Sequence, residues 1–383
     1  MIDPDTASAE IDLVAYAANL RAIADLVAPA QVMAVLKADA YGHGMLTCAA
    51  AARDAGVPWL GVVTLGEALA VRATGDRGRL LAWMYGPAEE LAPAIAADVD
   101  LGVHRLDQLD RVVAAAASAG RPARVHLKID TGLSRNGAPV GLWSELTAAA
   151  AAAERAGNLT VVAIWSHFIA SDDLSLPATK QQVAVFEEAV ATAREAGLDP
   201  ELLHLANSAG ALQVPESRYD LVRVGIASYG VDPGEGVAAG AGVELRPVLR
   251  LRARLVNVKR VRAGATVSYG ATWTAEQDTV LGLVPLGYAD GIPRHASNVA
   301  EVEVGGRRVP VRGRICMDQF VVDLGPDATE EPGAEVTLFG GPASPSAEDW
   351  AEVCGTIGYE IVTRIGARVP RVTAGSDTPV QGG

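Results

Sequence analysis

A chain of 383 residues with 32 basic and 46 acidic side chains, formal net charge −14, is a poor match for nucleic acid or an anionic membrane surface. That length exceeds one ordinary core, so two domains are expected, and a half-apolar, aromatic-poor composition suits a large α/β protein packed with small aliphatics. Three scattered cysteines, Cys48, Cys316 and Cys354, provide neither a disulfide framework nor a Cys–His metal spacing.

After an irregular start, Ile11–Ala28 reads as a short strand followed by a helix with Leu20, Ile23 and Leu26 on one face. Apolar strand-like runs then recur at Val32–Leu36, Trp59–Val63, Leu80–Met84, Asp100–Val103, Val125–Ile129, Val161–Trp165, Leu202–Ala206 and Leu221–Val224. Helical patterns rich in Ala, Glu and Arg fill the gaps, among them Arg105–Ala119, Gly141–Ala156 and Thr179–Ala196. This alternation predicts an N-terminal (β/α)8 TIM-type barrel over residues 11–234. A doubly wound open sheet is the competing architecture, but the GxGxxG signature expected at its first turn is absent.

The glycine-rich stretch Asp232–Gly242 is the best boundary candidate. Beyond it, Leu249–Val261, Thr279–Leu286, Val302–Val304, Arg307–Arg314, Phe320–Leu324 and Ala334–Phe339 alternate or run β-branched between turn residues. They predict a mainly β C-terminal domain over 243–372, with segment 1–10 a candidate to pack against it. Ser346–Ile357 and Thr363–Ile365 look helical, opened by a cap at Ser346-Ala347-Glu348-Asp349. The tail 373–383 lacks apolar content and is expected to be flexible. No signal-peptide pattern opens the chain and no apolar stretch of roughly 18 residues is free of charges and turns. A cytoplasmic setting is therefore the default expectation.

In such a barrel the C-terminal ends of all strands meet at one mouth, where chemistry sits. The first run delivers Lys37 and Tyr41 to it. A lysine at the rim of a buried strand is desolvated, and its neutral amine forms Schiff bases with carbonyls; the alternative is a lysine that merely marks where a strand meets solvent. Later runs deliver Lys128, Asp130 and Arg135, then Ser166 and His167, then Asn207 and Ser208, then Arg223, Gly225 and Ile226. The last two loops offer a hydroxyl, small residues and a cation, a combination that suits a phosphate. Together with the lysine, this points to pyridoxal 5'-phosphate.

The blocks VMAVLKADAYGHG, VHLKIDTGLSRNG, WSHFIASDD, HLANSAG, LVRVGIASYG, VSYGATWTA, GYADGIPR, GRICMDQFVVDLG, TIGYEIVTRIG and RVPRV resemble alanine racemase, in order and over nearly the whole chain. The resemblance implies a pyridoxal-phosphate barrel followed by a β domain. It further implies a head-to-tail homodimer whose two sites each draw residues from both chains, and D-alanine made for peptidoglycan.

Racemisation takes an α-proton from one face of a planar adduct and returns one to the other, so two bases are needed. The resemblance assigns these to Lys37 and, from the partner chain, Tyr269. A phenol needs help to act as a base near neutral pH, and the family places His167 and Arg223 behind it. Arg223 would face the cofactor's pyridine nitrogen; the alternative is a surface ion pair with Asp220 or Glu216. Tyr41, Asn207, Ser208, Gly225, Ile226 and Tyr359 fall on cofactor-binding positions. Arg135, Met317 and Tyr288 fall on substrate-binding ones, with Tyr359 sharing the inner wall.

Lys128 matches a position often carbamylated to hold Arg135, although a salt bridge to Asp130 is open as well. Arg294 and Asp318 would line the approach. Asn136 stands where many members carry leucine, which touches local packing and not the chemistry. His43 reads as a structural hydrogen-bonder. The alternatives to a racemase are a decarboxylase of the same fold and a non-catalytic pyridoxal-phosphate-binding protein.

Overall fold

The computed structural model of the chain describes residues 1–375. Strand β1 is Ala7–Ile11, followed by β2 Gln31–Val35, β3 Trp59–Val62, β4 Arg79–Ala82, β5 Asp100–Val103, β6 Ala123–Lys128, β7 Leu159–Trp165, β8 Leu202–His204 and β9 Leu221–Val224. Strands β2 to β9 form one parallel sheet in the order β8-β7-β6-β5-β4-β3-β2-β9. At the remaining seam the Arg223 N–H donates to Ala206 C=O at 3.0 Å and the Asp220 N–H to Leu203 C=O at 3.2 Å, which closes the sheet into a barrel. All four residues of β3 and of β5 are buried. A parallel strand covered on both faces reads as a continuous apolar run, and that is the pattern the sequence carries.

The helices between strands bury one stripe each. In Leu106–Ala119 the stripe is Leu109, Val112 and Ala116, and Gly120 ends the helix in the left-handed conformation at φ 65°. Thr64 and Glu67 form a capping box on the helix Leu65–Ala73, worth about 1 kcal/mol.

The second sheet has nine strands and is mainly antiparallel. Strand β1 belongs to it, paired antiparallel with Leu249–Arg254 and parallel with Arg371–Thr373. The chain therefore starts in this sheet, runs through Ile11 within it, enters the barrel and returns. Leu249–Val261 is not one strand. It divides into Leu249–Arg254 and Asn257–Val261, because Leu255 N–H donates to Ala334 and Val256 N–H to Leu283, so the chain changes partners there.

The expected loose tail is ordered at its beginning. Thr373 pairs with Ile11, while 376–383 lie outside the described residues. Asp232–Gly242 also carries structure: the Asp232 carboxylate accepts from Ala238 N–H, and Glu348 accepts from Asp232 N–H at 2.8 Å. Ser346 caps Ala347–Cys354 in a reciprocal box with Asp349. Among the described residues no helix is long and apolar enough to cross a membrane.

Candidate active site

A cavity of about 290 Å³ opens at the C-terminal mouth of the barrel. Lys37, Tyr41, Lys128, Arg135, His167, Asn207, Ser208, Arg223, Gly225, Ile226 and Tyr359 line it, so eleven residues expected from sequence converge, drawn from five strand ends and one C-terminal helix. Val35, Trp83 and Trp165 complete the wall. The two tryptophans sit inside apolar runs that read as plain core, and nothing in their spacing marks them as lining.

Directly after β2 the chain makes a turn of left-handed helix. Ala38, Asp39, Ala40 and Tyr41 all have φ of 53 to 55°. Left-handed backbone costs L-residues about 1–2 kcal/mol each, so this is a strained segment held by its surroundings. Glu67 is one of the holders: its Oε1 accepts from Ala38 N–H at 3.0 Å, while Oε2 accepts from Val63 and Thr64. Asp39 Oδ1 accepts from Met45 N–H at 2.7 Å. His43 is fully buried and its Nδ1 donates to Ala40 and Tyr41 carbonyls, which staples the turn's end. Burial lowers its pKa to about 4, so it is a neutral ring near neutral pH.

The turn leaves Lys37 half-buried with Nζ 5.5 Å from the Tyr41 ring centre. Burial first, then the Arg135 and Arg223 cations, push the Lys37 ammonium below its ordinary pKa, and Glu67 opposes in part. The neutral amine is thus more accessible here than on a surface lysine.

Tyr41 lies tilted between two other rings, its centre 5.0 Å from that of Tyr229 and 6.4 Å from that of Tyr359. A β-carbon added to Gly225 would meet its hydroxyl. Ser208 Oγ accepts from Gly225 N–H at 2.9 Å, and Asn207 Oδ1 caps the next turn through Gly210 N–H at 2.9 Å and takes the Ser171 hydroxyl at 2.7 Å. Hydroxyls and close backbone thus form a small anion cradle, with Lys37 and Arg223 as the nearby cations. This donor set fits pyridoxal phosphate, whose phosphate needs such a cradle and whose aldehyde needs an amine.

Arg223 is buried, not surface-paired. Its guanidinium donates to the carbonyls of Ser166 (2.7 Å), Leu205 (3.0 Å) and His204 (3.1 Å), and to Nδ1 of His204 (3.0 Å) and of His167 (3.1 Å). Burial lowers its pKa to about 9. His167 is held well below the usual imidazole range by burial and by Arg223, so it is neutral. Its Nδ1 accepts from Arg223, so the proton sits on Nε2.

Lys128 is buried with Nζ 4.4 Å from the Trp165 ring centre. Burial, then Arg223 and Arg135, lower its pKa to about 7. Asp130 is occupied by the backbone N–H groups of Gly132 and Ser134. The loop carrying Arg135 folds back at Gly137, where φ is 131° and a side chain would collide with Asp130 N at 2.5 Å; Ala138 N–H then donates to Lys128 C=O at 2.8 Å.

Five expected residues do not line this cavity: Tyr269, Tyr288, Arg294, Met317 and Asp318 lie in the β domain. Tyr269 sits at a hairpin tip, 72% exposed, with Ser268 Oγ anchored on Arg314 C=O at 2.6 Å. Tyr288 and Met317 are coupled, since Tyr288 N–H donates to Cys316 and Ala289 N–H to Met317. Arg368, which opens the block RVPRV but was assigned no role from sequence, clamps these loops by pairing with buried Asp290 at 3.2 Å and with Asp318 at 2.8 Å.

Two family models match: alanine racemase, N-terminal domain, over residues 11–233, and alanine racemase, C-terminal domain, over 248–373. The chain is 51% identical to an alanine racemase of Salinispora arenicola over 89% of this chain and 91% of that one. It is 49% identical to an alanine racemase of Thermobifida fusca over 97% and 98%. The alanine racemase structure from D-cycloserine-producing Streptomyces lavendulae superposes with a TM-score of 0.95 at 48% identity, covering 98% of each chain. That from Streptomyces coelicolor gives 0.94 at 49% identity, covering 97% and 99%.

Proposed function

The chain belongs to the alanine racemase family, and from that premise we propose that it interconverts L- and D-alanine with pyridoxal 5'-phosphate as its cofactor. When bound, this cofactor supplies an aldehyde for amines and an electron-withdrawing ring that acidifies the α-proton. The observation that carries the reading is the single cavity that gathers a desolvated lysine, an anion cradle and a buried arginine without a carboxylate contact.

In this reading Tyr41, Asn207, Ser208, Gly225, Ile226 and Tyr359 hold the phosphate end, and Arg223 and His167 the ring end. A guanidinium beside a pyridine nitrogen disfavours that nitrogen's protonation. This restrains the electron sink and favours proton exchange over side reactions. Lys37 Nζ carries the proton on one face. Tyr269 Oη of a second copy carries it on the other, which its exposure at a hairpin tip leaves open. Arg135 grips the substrate carboxylate, and Tyr288 and Met317 of the second copy narrow the site, with Arg294 and Asp318 along the approach.

Lys128, with its pKa near about 7, has the neutral amine that adds carbon dioxide, and a carbamate there would hold Arg135. The working unit is a homodimer in the cytoplasm, and its D-alanine serves peptidoglycan. A decarboxylase of this fold would want an acidic group where Arg223 stands. Incubation with L-alanine in deuterated water tests the choice. Deuterium at the α-carbon with loss of optical rotation supports racemisation, whereas carbon dioxide release without racemisation sinks it.

A further inference from the structure

Behind Arg223 a line of buried polar groups descends through the barrel interior, from the C-terminal mouth to the N-terminal end of β5. Arg223 Nη1 meets His204 Nδ1 at 3.0 Å, His204 Nε2 meets His126 Nδ1 at 2.9 Å, and His126 Nε2 meets Asp100 Oδ2 at 3.1 Å. Asp100, His126 and His204 are fully buried and Arg223 nearly so. The rings are wedged in place, His204 stacked on Trp165 at 5.4 Å and His126 edge-on to Trp59 at 5.4 Å.

The chemistry of the ends dictates the middle. A guanidinium only donates, so His204 Nδ1 must accept and its proton must sit on Nε2. That proton is donated to His126 Nδ1, which leaves the His126 proton on Nε2, facing Asp100. A carboxylate only accepts, so the series closes with every donor pointing from the pocket toward Asp100. Both rings are then neutral, in keeping with the lowering of each by burial. Burial alone would raise the Asp100 carboxyl, but His126 and Arg124 hold it below its ordinary value, so it is the anion. Arg124 Nε at 2.5 Å and Arg79 Nη2 at 3.4 Å also donate to its carboxylate.

Among the described residues Arg223 donates to carbonyls and ring nitrogens and pairs with no carboxylate, and an isolated buried cation is costly. We propose that Asp100 and His126 are positioning residues for Arg223: through His204 they orient its guanidinium and keep it a donor-only cation facing the pocket. The proposal rests on the racemase reading for its functional consequence, but its direct test does not need the cofactor.

The test is a nitrogen–proton correlation spectrum of the apoprotein labelled at histidine nitrogens, from about pH 6 to about pH 9. Both His126 and His204 should be neutral Nε2–H tautomers throughout. A Nδ1–H or doubly protonated form at either ring overturns the proposal, and this measurement requires no variant. Asp100→Asn, whose amide presents an N–H to His126, should change the tautomer of at least one ring. It should also lower kcat for alanine by roughly 10-fold, the scale of lost outer-shell support, with KM nearly unchanged.

His126→Gln can still accept from His204 and donate to Asp100, so it should retain the His204 tautomer and most of kcat. His126→Leu should lose both. Unchanged kcat in Asp100→Asn, or no difference between the Gln and Leu variants, overturns the positioning role. A wild-type protein with the expected tautomers but no deuterium exchange into alanine would instead count against the racemase reading alone.

Discussion

The Tyr41 hydroxyl lies 2.2 Å from the point that a β-carbon on Gly225 would occupy. No real side chain tolerates that approach, so the tyrosine and the glycine form one interlocked wall of the cradle. Tyr41 has little room to retreat, lodged as it is between Tyr229 and Tyr359. Gly225→Ala therefore displaces either the ring or the backbone that follows β9. Overpacking of this kind costs about 1–3 kcal/mol, which is roughly 5- to 150-fold if it falls on binding. Titration of the apoprotein with pyridoxal phosphate should show that loss, while thermal melting still shows a folded protein. Unchanged affinity would remove Gly225 from the cradle.

Lys37→Ala separates the amine from the phosphate contacts, which come from other elements. The variant should still bind pyridoxal phosphate, read as quenching of Trp83 and Trp165 in the cavity wall. It should lose the visible absorption band that depends on a protein amine, and with it alanine racemisation. A variant that keeps the band places the amine elsewhere.

The barrel was legible because its strands are buried on both faces and so run apolar without interruption, as at Trp59–Val62 and Leu221–Val224. The cavity was legible because a barrel brings all its strand ends together, which groups Lys37, His167 and Arg223 from their places after the strand runs alone. Segment 1–10 was a candidate to pack against the β domain, but the pairing of strand Ala7–Ile11 could not be read: its partners are more than 230 residues away in sequence, at Leu249–Arg254 and, on its other edge, at Arg371–Thr373. The left-handed turn Ala38–Tyr41 was equally hidden, since alanine carries no signature for positive φ. Asp100 opens strand β5 and His126 sits inside β6, each beside apolar residues, and only the third dimension shows that they face each other.

Lys128 makes stability depend on pH in a direction that can be worked out. Its folded pKa is about 7 against 10.5 for the unconstrained group. Between those values the unfolded chain holds a proton that the folded chain lacks, so stability rises with pH across that window. Below about pH 7 both forms are protonated and the cost of burying the cation is fully present. Lys128→Met removes the cost while filling similar volume. In carbon-dioxide-free buffer the variant should melt above the wild-type apoprotein near pH 6, and the gap should narrow toward pH 10. A gap that is constant with pH would mean Lys128 is not the titrating group.

The exposed Tyr269 gives the sharpest check on how many chains build a site. Within one chain it lies on the β domain and is absent from the cavity that holds Lys37. If each site takes Lys37 from one copy and Tyr269 from the other, Lys37→Ala and Tyr269→Ala homodimers should both be inactive or nearly so. The tyrosine variant should fall by roughly 10²–10⁴, the usual worth of a positioned base. Mixed dimers behave differently. One of their two sites carries both substitutions, whereas the other draws an intact lysine from one subunit and an intact tyrosine from its neighbour. Random re-association makes half the dimers mixed, each with one good site, so about a quarter of wild-type activity should return. The measurement is alanine racemisation by the unmixed variants, and again after the two are co-expressed. Residual activity that stays at the mean of the two variants would show that the sites are not shared between subunits, and would leave Lys37 without its opposite base.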